Sequence, residues 1–480
     1  HANALGIRMT PSGTLPTIIQ GGMGAAIGSW RLARAVARRG HLGVVSGTAI
    51  ERAVACRLQE GDPGGDLRRV LARCPIPGLG ERIVDAWFRP TGLPAPGVYK
   101  PLTMFSLEPS RELLELTVAA AYAEVALAKE SGGQVGINLL EKIPLPTLPV
   151  IYGAMLAGVD WVLMGAGIPR DVPGYLDLLA AGRVASLRLA VDGGPITLVP
   201  FDPTMFGTPT IELRRPRFIA IVSSDVLAMS LKRSGGVDGF VVEAPCAGGH
   251  NAPPRGGGGL SSIGEPVYGP RDSVDLARMR SLGIPFWLAG GRATAEELAL
   301  ALKAGACGVQ VGTAFAFCAE SGLREDLRSA VLAAVAANEA TLFTDPRASP
   351  TGFPFKLVQL AGTEPARAAD IRQRRTCSLG YLRQAYSKPD GEVGWRCAAE
   401  PIAQFIAKGG TVEDCEGRRC LCHGLTASAG HPHVIGHGSN DLELPIITAG
   451  DDLLQLRRFF RPERPYTADD VIDDILAVAQ

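Results

Sequence analysis

The chain has 480 residues, with 48 lysine and arginine side chains balanced by 48 aspartate and glutamate, and 46 % of its residues are hydrophobic. A neutral chain has no general electrostatic reason to bind nucleic acid or an anionic membrane, and no uncharged apolar run reaches the roughly 18 residues of a membrane span. The opening HANALGIRMTPSG lacks a basic stretch followed by an apolar one, so no secretory signal is read there. A cytoplasmic location with reduced thiols is the expectation that follows.

Short apolar runs alternate with helix-length amphipathic segments. Strands are predicted at 17–20, 42–46, 134–138, 161–165, 218–222, 239–243, 284–288 and 308–312. Runs apolar on both faces suit a parallel sheet covered on each side. The helical patterns between them, such as SWRLARAVARRG and TAEELALALKAGA, give an α/β chain. Eight units favour a closed (β/α)8 TIM barrel over an open doubly wound sheet. Three stretches interrupt the rhythm, at about 50–106, 184–214 and 251–275; the second reads as two added strands. The expected organisation is a barrel over 1–335 followed by a cysteine-rich region over 340–480.

In such a barrel the chemistry belongs at the C-terminal strand ends. The last two strands end in Ala289-Gly290-Gly291 and Gly312-Thr313. Backbone N–H groups without a Cβ in the way, backed by helix N-termini, suit a phosphate. The sixth strand ends at Glu243, with Gly248-Gly249-His250 behind it. His250 is the one histidine at a strand end within the barrel, and an imidazole there is a candidate proton shuttle or substrate-orienting group. The proline-rich run after it reads as a wall or lid. Arg255 and Arg271 within it read as solvated surface before they read as anion ligands.

Cys377, Cys397, Cys420 and Cys422 crowd the tail, with Cys415 as a spare. Four thiolates suit a tetrahedral zinc or an iron–sulfur cluster; buried free thiols are the other reading. No G-x-G-x-x-G fingerprint follows a strand, so NAD(P)H is expected only as a transient donor.

Six motifs in order, PTIIQGGMG, LGVVSGTA, VGINLL, EAPCAGGHNAPPRG, LAGGRAT and VQVGTAF, resemble the nitronate monooxygenase family of FMN-dependent barrels, over about residues 15–330. Its relatives include enoyl-acyl-carrier-protein reductases and trans-acting enoyl reductases. The resemblance implies that Gly22 and Met23 pass against the isoalloxazine ring and that Asn138 bonds the ring or ribityl chain. It implies that Gly290, Gly291, Gln310, Val311, Gly312 and Thr313 hold the FMN phosphate, and that His250 is the catalytic histidine. The implied reaction is oxidation of a nitronate or similar acidic carbon by O₂. The alternative is NAD(P)H-dependent reduction of an enoyl thioester, free or on an acyl carrier protein. A homodimer is a further expectation. The run His250-Asn251-Ala252-Pro253-Pro254-Arg255 departs from the family's His-x-Gly, and the short nitronate monooxygenases lack the cysteine-rich tail.

Overall fold

A computed structural model describes residues 9–10, 13–207, 211, 213–257, 259–364, 372–436 and 440–477. Eight strands close into a barrel: β1 (Ile18–Gln20), β2 (Leu42–Ser46), β3 (Gln134–Leu140), β4 (Trp161–Gly165), β5 (Arg217–Val222), β6 (Gly239–Glu243), β7 (Phe286–Ala289) and β8 (Gly308–Val311). All neighbours are parallel, and the ring closes where β8 meets β1 with Gln310 opposite Ile19. The expected strands thus form, with shifted ends. β3 runs on to Leu140 because its partner β4 continues to Gly165. β7 starts only after Pro285, which has no N–H to give the ladder, although its carbonyl still accepts from Phe240 N at 2.9 Å.

Side chains alternate faces with period two. Ile19, Leu42, Val44, Trp161, Leu163, Ile219, Val241 and Trp287 fill the barrel, while Ile18, Val45, Ile137, Val162, Phe218, Phe240 and Val309 face the outer helices. Trp161 and Trp287 meet edge to face with centroids 6.2 Å apart. Both indoles are fully buried, and both N–H groups are bonded, Trp287 to Pro16 O at 2.7 Å and Trp161 to Gln134 Oε1 at 2.8 Å. The lower barrel is therefore a packed core, leaving the C-terminal end as the place for a ligand.

The first interruption folds as helices Ile50–Gln59, Asp66–Leu71 and Leu79–Trp87. The second is an antiparallel hairpin, Ala185–Leu189 with Thr197–Phe201. The chain beyond residue 340 does not stand clear of the barrel. Its hairpin Thr341–Asp345/Phe355–Gln359 touches the His250 loop, where Lys356 N donates to Gly249 O and Asn251 N to Pro354 O, each at 3.0 Å. A later strap crosses the mouth: Gly249 N donates to Thr448 Oγ1 at 2.8 Å, Gly450 N to Thr313 Oγ1 at 3.0 Å and Asp451 N to Cys246 O at 2.9 Å. Inside the tail, Arg375 donates two 2.6 Å bonds to the Glu443 carboxylate, both side chains buried. Helix Ala468–Leu476 then returns to the barrel flank, where Asp473 pairs with Arg39 at 2.6 Å.

Candidate active site

The strand ends and the tail enclose a cavity of about 230 Å³. All ten candidate positions from the strand ends and the family resemblance line it: Gly22, Met23, Asn138, His250, Gly290, Gly291, Gln310, Val311, Gly312 and Thr313. The tail adds Phe355, Tyr381, Leu382, Leu421, Cys422, Leu425, Thr448, Ala449 and Asp452.

Each glycine has its own reason. A Cβ on Gly22 would lie 2.0 Å from Asn138 Cβ, so that turn tolerates no side chain. Gly290 and Gly291 have φ of +93° and +64°, the left-handed region that glycine enters without penalty. Gly312 has an ordinary φ of −103° and caps the helix Thr313–Ala316. Its Cβ would meet nothing within 4 Å, so its backbone is open to the cavity.

FMN is the group the family resemblance implies, and the lining fits it. The side-chain oxygens of Asn138 and Gln310 and the Nε of Arg292 are buried without a hydrogen-bond partner among the described residues. Buried polar atoms are costly to leave unpaired, and a ligand with a polar edge and an anionic end would satisfy them. Gly290, Gly291, Gly312 and Arg292 would take the phosphate end, and Asn138 and Gln310 the polar edge. Thr313 is less available, because its hydroxyl already serves Gly450 and Asp452. Burial raises the Asp452 carboxyl above its usual range, which lessens its repulsion of a phosphate.

His250 meets Ser349 Oγ through Nε2 at 2.7 Å and stands edge-on to Phe355, centroids 4.9 Å apart. Burial, reinforced by the positive charge of Lys142, pushes its pKa down to about 3. At neutral pH it is an uncharged imidazole. Two titratable groups at this end of the barrel were not picked from the sequence. Burial pushes Glu243, at the end of β6, up to about 7, with Lys142 opposing. Burial pushes Lys142, just past β3, down to about 7 against the pull of Glu141 and Glu243. Its ammonium lies 3.1 Å from the Phe353 ring centroid and has no hydrogen-bond partner among the described residues. Glu243 did leave a signal, a carboxylate ending an apolar strand. Ser349 left none, being 99 residues from the histidine it touches.

The expected metal site is not seen among the described residues. Among the described residues no three His, Cys, Asp or Glu side chains gather to hold a metal ion. Cys420 and Cys422 flank the start of helix Leu421–Ser428, and residues two apart on a helix do not share a face. Cys420 Sγ meets His423 Nδ1 at 3.1 Å, whereas Cys422 lines the cavity. Burial pushes the Cys397 and Cys422 thiols up to about 12, reinforced in both by Cys377 and in Cys422 by Cys397 as well. None of the ten cysteines is in a disulfide.

The fold and mouth define a (β/α)8 barrel with a ligand-sized chamber at the C-terminal ends of its strands. Residues 210–389, which carry β5 to β8 and His250, match the family model for nitronate monooxygenase. Over that segment the chain is similar to a family of oxidoreductase enzymes. No curated protein matches the chain. Among solved structures, FabK from Thermotoga maritima is 16 % identical with a TM-score of 0.48, covering 99 % of this chain and 94 % of that one. Nitroalkane oxidase from Streptomyces ansochromogenes is 15 % identical with a TM-score of 0.44, covering 96 % and 94 %. The enoyl reductase domain of MlnA from Bacillus amyloliquefaciens is 13 % identical with a TM-score of 0.38, covering 74 % and 66 %. Among the described residues no helix is long and apolar enough to cross a membrane.

Proposed function

We propose that this chain is an FMN-dependent oxidoreductase that reduces the C=C bond of an apolar α,β-unsaturated acyl thioester, with NAD(P)H as donor. The observation that carries this reading is the chemistry of the chamber wall. Leu140, Ile143, Phe355, Leu382, Leu421 and Leu425 line it, an apolar surface suited to a hydrocarbon chain. Its carboxyl groups are Glu243 and Asp452, and its cation, Arg292, is paired with Glu297. A small, polar nitronate would leave that apolar wall uncovered, whereas the hydrocarbon part of an acyl thioester would cover it. Oxidation of a nitronate is the second reading, favoured by the family match over 210–389.

Bound flavin would supply the hydride relay between nicotinamide and substrate. The protein's part is to hold and orient. The apolar tail residues exclude water from the acyl chain. When the Ser349 hydroxyl donates to Nε2, the His250 proton sits on Nδ1, which has no other partner among the described residues and can donate to the thioester carbonyl. An acyl carrier protein, if it delivers the substrate, would dock near the tail that roofs the mouth.

The test is anaerobic spectroscopy of the FMN-loaded protein. NADPH should bleach the flavin, and a long-chain trans-2-enoyl thioester should restore it. Bleaching by a nitronate with no response to NADPH would overturn the reading and support the second one.

A further inference from the structure

Glu243 stands on a wall between two spaces. It lines the inner chamber and also an outer cleft of about 1130 Å³ that holds Cys246, Tyr268, Asp272, Arg292, Lys356 and Asp451. That cleft reaches the surface, where Leu454 on its lining is 47 % exposed. Two residues earlier on β6, Val241 points into the barrel, so the strand's alternation directs Glu243 to the same inner face at the mouth. The side chain is half-buried, and its carboxyl makes no hydrogen bond among the described residues that would hold it to one side.

We propose that Glu243 is the proton carrier of this site, taking protons from the wetted outer cleft and delivering them to substrate in the inner chamber. The proposal rests on the reduction reading above. In that reaction a hydride, which bound flavin would supply at the expense of NAD(P)H, forms the C–H bond at the β carbon while the C=C π pair moves to the α carbon. The Glu243 O–H bond breaks, its proton forms the C–H bond at the α carbon, and the electron pair stays on the carboxylate. Cleft water then returns a proton. His250 is a poor source, since a buried neutral imidazole is a very weak acid.

The surroundings suit the task. Lys142 acts on the carboxyl electrostatically, and His250 and Asp452 line the chamber with it. Cys246, Tyr268, Asp272, Glu265, Arg292 and the Lys356–Asp451 pair, 2.7 Å apart, belong to the cleft side. Burial, opposed by Lys142, brings the carboxyl to about 7, so both its forms are populated near neutrality, as an acid that reloads each cycle requires.

The experiment compares FMN-loaded wild type with Glu243→Gln and Glu243→Asp. Retained flavin and an unchanged melting temperature establish that the variants are folded. In Glu243→Gln, reoxidation of the flavin by the enoyl thioester should slow by about 10²–10⁴-fold and lose its break near pH 7; Glu243→Asp should recover part of the rate. Wild-type rate and pH profile in Glu243→Gln would overturn the proposal. If wild type fails to use any enoyl thioester, the reduction reading fails, and infrared titration decides on Glu243 separately. A protonated-carboxyl C=O stretch that titrates near neutrality in wild type and is missing in Glu243→Gln supports the carrier, whereas a carboxylate ionised throughout overturns it.

Discussion

Replacing Gly312 by alanine separates cofactor binding from folding. The residue's φ of −103° and ψ of −71° lie outside the left-handed region, so alanine enters without backbone strain. The added methyl meets no protein atom within 4 Å, so stability should stay within about 0.5 kcal/mol of wild type. The methyl instead projects into the space assigned to the FMN phosphate. Overfilling a fitted site costs about 1–3 kcal/mol, which corresponds to roughly a 5- to 150-fold weaker Kd. The assay titrates apoprotein with FMN, following flavin fluorescence, alongside thermal melts without cofactor. Unchanged affinity in Gly312→Ala would refute the placement of the phosphate. Gly22→Ala is the contrasting control. Its methyl would collide with Asn138 at 2.0 Å, so it should lower the melting temperature of the apoprotein itself.

Trp287→Ala should cost about 3–5 kcal/mol in chemical denaturation, because it empties the barrel floor beside Trp161 and leaves Pro16 O without its donor. Arg375→Met strands the Glu443 carboxylate in a site where its side chain is 2 % exposed. A loss of about 3–5 kcal/mol is expected, much of it recovered in the double variant Arg375→Met/Glu443→Leu, as read from urea midpoints. His41, His250 and His423 are held neutral, with pKa values pushed down to about 4, 3 and 4 by burial. The unfolded chain takes up their protons below about pH 6.5 while the folded chain does not, so stability should fall as pH drops from there toward 4. Each histidine contributes roughly 1.4 kcal/mol per pH unit; His250→Gln should remove one share of that slope in pH-dependent unfolding.

The barrel was legible because its information is local. Each strand is a short run apolar on both faces, and each ends in a glycine-rich turn. Those two features set the period, the burial and the end at which a ligand enters. The strand ends likewise pointed to the residues that line the mouth, since position along a parallel strand is also height along the barrel. A count of thiols says nothing of geometry: Cys377, Cys397 and Cys422 act on one another electrostatically, yet among the described residues no three metal-binding side chains gather to hold an ion.

What the residues themselves determined is therefore the cylinder and the place of its opening. What tertiary structure alone decided is the character of the chamber. Thr448 reaches Gly249 across 199 residues, and Ser349 reaches His250 across 99. Only when that distant chain folds over the mouth does water leave, and the loss of water is what neutralises His250 and shifts Glu243 and Lys142 toward neutrality. A side chain's type can be read one residue at a time, but its solvation depends on everything that packs around it.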